Sequence, residues 1–493
     1  MTSLTDLGLS SNALSGTIPP SVEKLASLTS LDLHGNNFSG DVPEAIRGLK
    51  NLTYADFSGN QLTGKIPESI GGLYLLEVLY LNGNGFTGKI PESIGRLISL
   101  QFLRLSENNL TGQIPPSIGN LTGLKSLVFE NNQLSGNLPE TLGHLITLES
   151  IYFSNNHFTG KIPPSMGNLK NLQSLDLSRN QLSGPIPVEF LKLKSLQDLD
   201  LSFNPLRLEK LPDWLKSLSL FRLLLASTGL KGELPNWLSS SSSLSTLDLS
   251  SNSLKGKLPS WIGNMTNLSL LNLSNNHFNS SIPVEFKNLV LLTDLDLHSN
   301  NLSGNLNTFF VKASDFPRGH YSSIDLSHNM FRGPIDEDIG EKPVMEEIET
   351  LILSHNPLGG KIPKSLGKLR TRRTPNGVSL EKKGTTQKAL HSRQNIHRQE
   401  QKPKLEGDSP TIEIEGQKTH QLQTNRPQYG SPPPIATSSA KQGLGRPTNF
   451  NTPRQHQRSR IAEEGRRSNA TTSRRRTAAE EGDAREEKGA RVR

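Results

Sequence analysis

An asparagine returns every 24 residues along this chain: Asn12, Asn36, Asn60, Asn84, Asn108, Asn132, Asn156, Asn180 and Asn204, then Asn252, Asn276 and Asn300 in the same phase. Thr228 breaks the series at its register position, and Asn329 and Asn356 follow after slightly longer gaps. A fixed period of this length means that the chain stacks one small unit on the next instead of wrapping a single enclosed core. Function is therefore to be sought on a long open surface. Nothing in the sequence clusters an acid, a base and a nucleophile beyond what the repeat itself writes, so no enzyme activity and no cofactor are expected.

Residues 100–115, Leu-Gln-Phe-Leu-Arg-Leu-Ser-Glu-Asn-Asn-Leu-Thr-Gly-Gln-Ile-Pro, show the frame. Leu103 and Leu105 alternate with outward residues, so this stretch reads as a short strand, with Leu100 and Leu110 also pointing inward. Asn108 sits where the chain leaves the strand. Its amide can bond backbone groups that a tight bend would otherwise bury unpaired. Gly112 permits close approach or an unusual dihedral, Ile114 points inward, and Pro115 fixes the start of a short helical turn on the back. Ile118 and Leu121 close the coil. Fifteen coils fit the sequence, the last closing near Leu369. At about 4.8 Å between strands, their sheet would run roughly 70 Å.

The frame Leu-x-x-Leu-x-Leu-x-x-Asn-x-Leu-x-Gly-x-Ile-Pro resembles the plant-type leucine-rich repeat. That repeat builds the ectodomains of plant receptor-like kinases and receptor-like proteins and, more distantly, polygalacturonase-inhibiting proteins. The resemblance covers residues 1–370 of 493. It implies an α/β repeat solenoid: a right-handed superhelix of about 15 coils with a parallel sheet on its concave face. It also implies a peptide or protein ligand on that face, a co-receptor as a candidate second partner, and a place at the plasma membrane or its extracellular side. The expected function is recognition in immune or developmental signalling. Two other readings stay open: a secreted polygalacturonase-inhibitor-like protein, and an intracellular scaffold with a basic tail.

Composition divides the chain. Residues 371–493 hold 25 Lys/Arg against 13 Asp/Glu, which leaves 29 basic and 33 acidic residues in 1–370. The tail lacks apolar periodicity and reads as disordered and low in complexity. Its mixed charges, with no aromatic interleaving for base stacking, speak against nucleic acid as a partner. There is no cysteine, no apolar signal core after Met1-Thr2-Ser3-Leu4, no apolar run long enough to span a membrane, and no protein-kinase signature. The expectation is a truncated receptor, or one joined to unrelated coding sequence near Leu369–Pro375.

Most outward strand positions are Ser, Asp, Asn or Gly. In coils three to seven large residues replace them. One column reads Asp56, Tyr80, Arg104, Val128, Tyr152, and the next Tyr54, Val78, Phe102, flanked by Glu107 and Glu130. Tyr and Arg are frequent binding anchors, so Tyr54, Val78, Tyr80, Phe102, Arg104, Val128, Glu130 and Tyr152 are the candidate partner contacts. The plain alternative is cross-strand packing without a partner. The second half carries Asp176, Asp198, Asp200, Asp248, Asp294, Asp296 and Asp325, the repeat's default text. His298, His328 and His355 read as solvated surface residues, so no metal site is expected. Asn37, Asn51, Asn109, Asn120, Asn264, Asn267, Asn272, Asn279 and Asn301 begin Asn-x-Ser/Thr glycosylation sequons, although the frame writes Asn-Leu-Ser/Thr of its own accord. Trp214, Trp237 and Trp261 share one frame position on the back. Near them, Leu208 stands where Gly is expected, a place for a change of twist. About five extra residues enter near Val311–Arg318.

Overall fold

The structure, a computed structural model, describes residues 3–307, 309–311 and 320–369, with the backbone of Ile412–Glu413. Fifteen three-residue strands, from Asp6–Gly8 to Thr350–Ile352, pair in parallel in chain order, one for each coil. We number the coils 1–15 by these strands. Pairing is in strict register: Leu103 lies between Leu79 and Leu127 on the adjacent strands. Register is fixed because a one-residue slip would turn these leucines out into water.

The interior coils bury nearly the same set of positions, whereas in coil 1 Leu4, Leu7 and Leu9 stay half-buried and Leu14 is exposed. Leu100, Leu103, Leu105, Leu110, Ile114, Ile118 and Leu121 are all at most 1 % exposed. Every such side chain contributes about 1.5–3 kcal/mol of burial, and most of its neighbours belong to the coils before and after. The back of the coil is a five-residue 3-10 turn, such as Pro116–Asn120, started by Pro115 at φ −65° and closed by Leu121 N–H donating to Ile118 C=O. The short stretch after each Pro settles into this tighter i→i+3 pattern, with no α-helix among the described residues.

Between the strand and the back turn a second, edge-on layer of short parallel strands runs in separate groups. One spans Thr87–Gly88 to Gln181–Leu182, and another Lys231–Gly232 to Met330–Phe331. The gap between them is coil 9, where Pro205 has no N–H to give, Arg207 takes φ 57° and Leu208 fills the glycine position. The main sheet passes through this fault unbroken, with Asp200 beside Leu224. The irregular frame thus interrupts only the outer layer.

The chain divides into a unit of Met1–Lys418 and a unit of Thr419–Arg493. The first runs past the sequence boundary at 370/371 and takes in Ile412–Glu413, which pair with Leu351 and Ile352 of coil 15. The disorder assigned to the rest of the tail, and the insertion after Val311, lie outside the described residues. Among the described residues no helix is long and apolar enough to cross a membrane.

Candidate recognition surface

The asparagine series is what holds the open face in shape. The Nδ2 of Asn156 donates to the carbonyls of Phe129 (3.0 Å), Phe153 (3.2 Å) and Ser154 (3.3 Å), while its Oδ1 accepts from Leu134 N–H at 3.0 Å. One amide thus satisfies its own bend and clamps the preceding coil. Asn36, Asn60, Asn84, Asn108, Asn132, Asn180, Asn204, Asn252, Asn276 and Asn300 accept from the preceding coil in the same way. At the irregular position the Thr228 hydroxyl donates to Leu225 C=O alone, and Asn252 Oδ1 takes the amides of Thr228, Gly229 and Leu230 together.

The residue before each ladder asparagine is left-handed in every coil: Gly35, Gly59 and Gly83 at φ 61–66°, but also Glu107, Asn155, Arg179 and Phe203 at φ 53–56°. Sequence reasoning placed the bend but missed its left-handed residue. The signal was the run of glycines at 35, 59 and 83, hidden by the larger residues that follow in the same column.

On the open face the large residues of coils 3–7 meet. Tyr54 and Tyr80 pack edge to face at 6.4 Å, and the Arg104 guanidinium lies 4.8 Å from the centre of the Tyr80 ring. Lys125 Nζ is 6.0 Å from the Phe102 ring. Tyr54 donates to Asp56 at 3.3 Å, and Asp56 is itself buried and also takes the Ser58 N–H and hydroxyl. Tyr54, Val78, Tyr80, Phe102 and Tyr152 are half-buried and Arg104 is exposed, so each keeps surface for a partner. Val128 is different. At 9 % exposure it sits between the larger Arg104 and Tyr152 in register and offers almost nothing. It leaves the set of candidate contacts. Glu130 is half-buried, and its pKa is raised by burial first, then by Asp176 and Glu107, against the pull of Ser154 and Arg104.

Coils 8–14 are acidic and hold fewer large side chains. Burial and the neighbouring Asp176 push Asp200 up to about 7, against the hydrogen bonds from Ser202. Burial also raises Asp248 and Asp325. His298 is not a free surface residue. Its Nδ1 is 2.6 Å from Asp296 and 3.9 Å from Asp325, and the hydrogen bond to Asp296 raises its pKa. His328 and His355 are exposed, their rings stacked at 4.0 Å.

Eight of the sequon asparagines, Asn37, Asn51, Asn109, Asn120, Asn264, Asn267, Asn279 and Asn301, are exposed. Asn272 is 6 % exposed, bonded to Asp248 and Ser274, and is closed to a transferase. It lies on the main strand itself, a place the sequon pattern does not distinguish. Trp214, Trp237 and Trp261 pack partly buried against the core on the back, and Trp261 donates to Asn236 of the coil before.

This architecture defines a leucine-rich repeat solenoid, and comparison with known proteins places it more narrowly. The sequence matches the leucine-rich repeat region family over residues 54–226, and leucine-rich repeat families over 242–302 and over 3–25, 27–49 and 347–369. Similar solved structures include the plant peptide hormone receptor RGFR1 in complex with RGF2, 32 % identical, covering 74 % of this chain and 65 % of that one, with a TM-score of 0.64. A TDR receptor is 31 % identical over 75 % of this chain and 67 % of its own, at TM-score 0.63. The Arabidopsis receptor kinase HAESA, in complex with the peptide hormone IDA and the co-receptor SERK1, is 30 % identical over 75 % and 69 %, at TM-score 0.57. The chain belongs to the plant-type leucine-rich repeat family. It spans 65 % of the RGFR1 chain and 57 % of the PEPR1 chain. No curated protein sequence matches it.

Proposed function

We propose that residues 1–370 are a non-catalytic recognition module of the plant cell-surface receptor type, and that they take an extended peptide across coils 3–7. The observation that carries this is the block formed by Tyr54, Tyr80, Phe102, Arg104 and Tyr152. These side chains occupy frame positions that elsewhere hold mainly Ser, Thr or Asp, and they are half-buried or exposed where a partner can reach them. Flat aromatic groups beside an arginine suit a peptide, because they bring large contact area at small rotamer cost and one fixed charge. An extended chain laid across parallel strands would meet one outward pair per coil, roughly every 4.8 Å. Similar structures with peptide hormones bound support the same ligand class, and the one holding SERK1 supports a co-receptor as second partner.

The test starts from a random-peptide library selected against the immobilised full chain. Peptides so obtained are titrated against Tyr80→Ala, Tyr152→Ala and the control Thr246→Ala from coil 11. Each tyrosine change should weaken binding by about 2 kcal/mol, with the control near neutral. Tyrosine variants that bind normally but melt early would make the block cross-strand packing. Loss of binding in Trp237→Ala alone would move the site to the back of the solenoid.

A further inference from the structure

We propose that Asp296, His298 and Asp325 form a binding site for a divalent cation of the zinc class on the open face of coils 13 and 14. Each residue offers one ligand atom, and the three atoms lie within 4.8 Å of one another. A zinc-class ion needs about 2.0–2.2 Å to imidazole nitrogen and carboxylate oxygen. Opening the 2.6 Å contact between His298 Nδ1 and Asp296 Oδ1 by a small side-chain rotation would admit one. One nitrogen and two carboxylates suit a borderline ion better than the all-oxygen shell that calcium or magnesium takes.

The surroundings hold these groups in place. Asp325 Oδ1 accepts both the Ser327 N–H and its hydroxyl, at 2.9 and 2.7 Å, which turns Oδ2 toward His298. Asp296 Oδ1 also accepts the His298 N–H. The far nitrogen of the ring, Nε2, is 3.0 Å from the side-chain amide of Asn275. A polar partner on the far nitrogen is what orients a metal-bound imidazole; with an ion on Nδ1, a turn of the Asn275 amide from the Nδ2 contact seen here would let Nε2–H donate to its oxygen. Among the described residues no Lys or Arg pairs with either carboxylate, so the charge of an ion would be met there. The side chains keep 28 %, 28 % and 14 % of their surface, sheltered but open enough for entry and for water in the remaining positions.

The repeat itself marks His298 as a departure. The same frame position is Ser274 in the coil before and Ser327 in the coil after, and each of those hydroxyls closes onto its own coil's Asn272 or Asp325. A histidine recurs at this position only at His34, beside Asp32 and Asp56. There the fit is poorer: both Asp56 oxygens already accept hydrogen bonds, from Ser58 and Tyr54, and the His34 side chain is 41 % exposed.

The test titrates the full chain with Co²⁺, read by its visible absorption, followed by competition with Zn²⁺. His298→Ser restores the repeat's own residue, so it should fold normally, which a melting curve checks. We expect one saturable site that weakens by more than about tenfold in His298→Ser and in Asp325→Asn, and that is unchanged in His355→Ser and His34→Ser. Absence of saturable binding, binding unchanged in folded His298→Ser, or loss that follows His355→Ser or His34→Ser would each overturn the proposal.

Discussion

Replacing Asn156 by alanine removes four hydrogen bonds, but they are not equal. The carbonyls of Phe129 and Phe153 keep second donors from the ladder, Asn132 and Asn180. Leu134 N–H has Asn156 Oδ1 as its acceptor, inside a fully buried residue, and is left unpaired. An orphaned buried donor costs about 1–3 kcal/mol, and the small cavity under a 4 % exposed side chain adds to it. The expected loss is about 2–3 kcal/mol. Asn156→Asp separates the two roles of the amide. It can still accept from Leu134, but it sets a carboxylate against three carbonyl oxygens, so it should destabilise at least as much. Asn155→Ala is a poor control, because Asn155 sits at φ 55° and bonds Asn131. Asn155→Gly keeps the left-handed bend, as Gly83 does, and should lose less than about 1 kcal/mol. The assay is the urea midpoint, with hydrogen exchange at the Leu134 amide. Equal midpoint shifts for Asn156→Ala and Asn155→Gly, or unchanged protection at Leu134, would refute the ladder's energetic role.

Two further outcomes follow from the same geometry. Glu107→Gly should raise stability by about 1 kcal/mol, since an L-residue in the left-handed region costs about 1–2 kcal/mol; a fall in the urea midpoint would mean that the Glu107 side chain holds the bend by contacts of its own. Asp200→Asn should gain on the parent as pH rises. The folded pKa near 7 lies above the ordinary 3.8, so the folded state holds a proton that the unfolded state has released, and the parent loses stability between these values and levels off above 7. Midpoints for the two proteins that run parallel from pH about 4 to 8 would show that Asp200 is solvated in the folded state.

Much of the fold was legible because the repeat states each requirement in nearly every coil. Leu103 and Leu105 declare the strand by alternation, Pro115 the back turn, and Asn108 the bend. The left-handed residue was hidden because Glu107, Arg179 and Phe203 tolerate the strain once the coil is built. At the candidate site, the column of Tyr80, Arg104 and Tyr152 could be read from the period alone. The covering of Val128 could not, since it depends on the length of its neighbours' side chains. Nor could the burial of Asn272, because a sequon is a local pattern and exposure is set by the next coil. His298 looked solvated for a related reason: the period puts Asp296 and Asp325 on adjacent strands but does not show that their carboxylates turn toward the His298 ring.

A ligand on the open face of coils 3–7 should leave a footprint confined to that face. Hydrogen exchange of the full chain with and without a library-selected peptide tests it most directly. Slowed exchange should map to the strands Tyr54–Asp56 through Ser150–Tyr152 and the bends after them, with the 3-10 turns of the same coils unchanged. Protection confined to the back turns carrying Trp214, Trp237 and Trp261, or to coils 8–14, would contradict it.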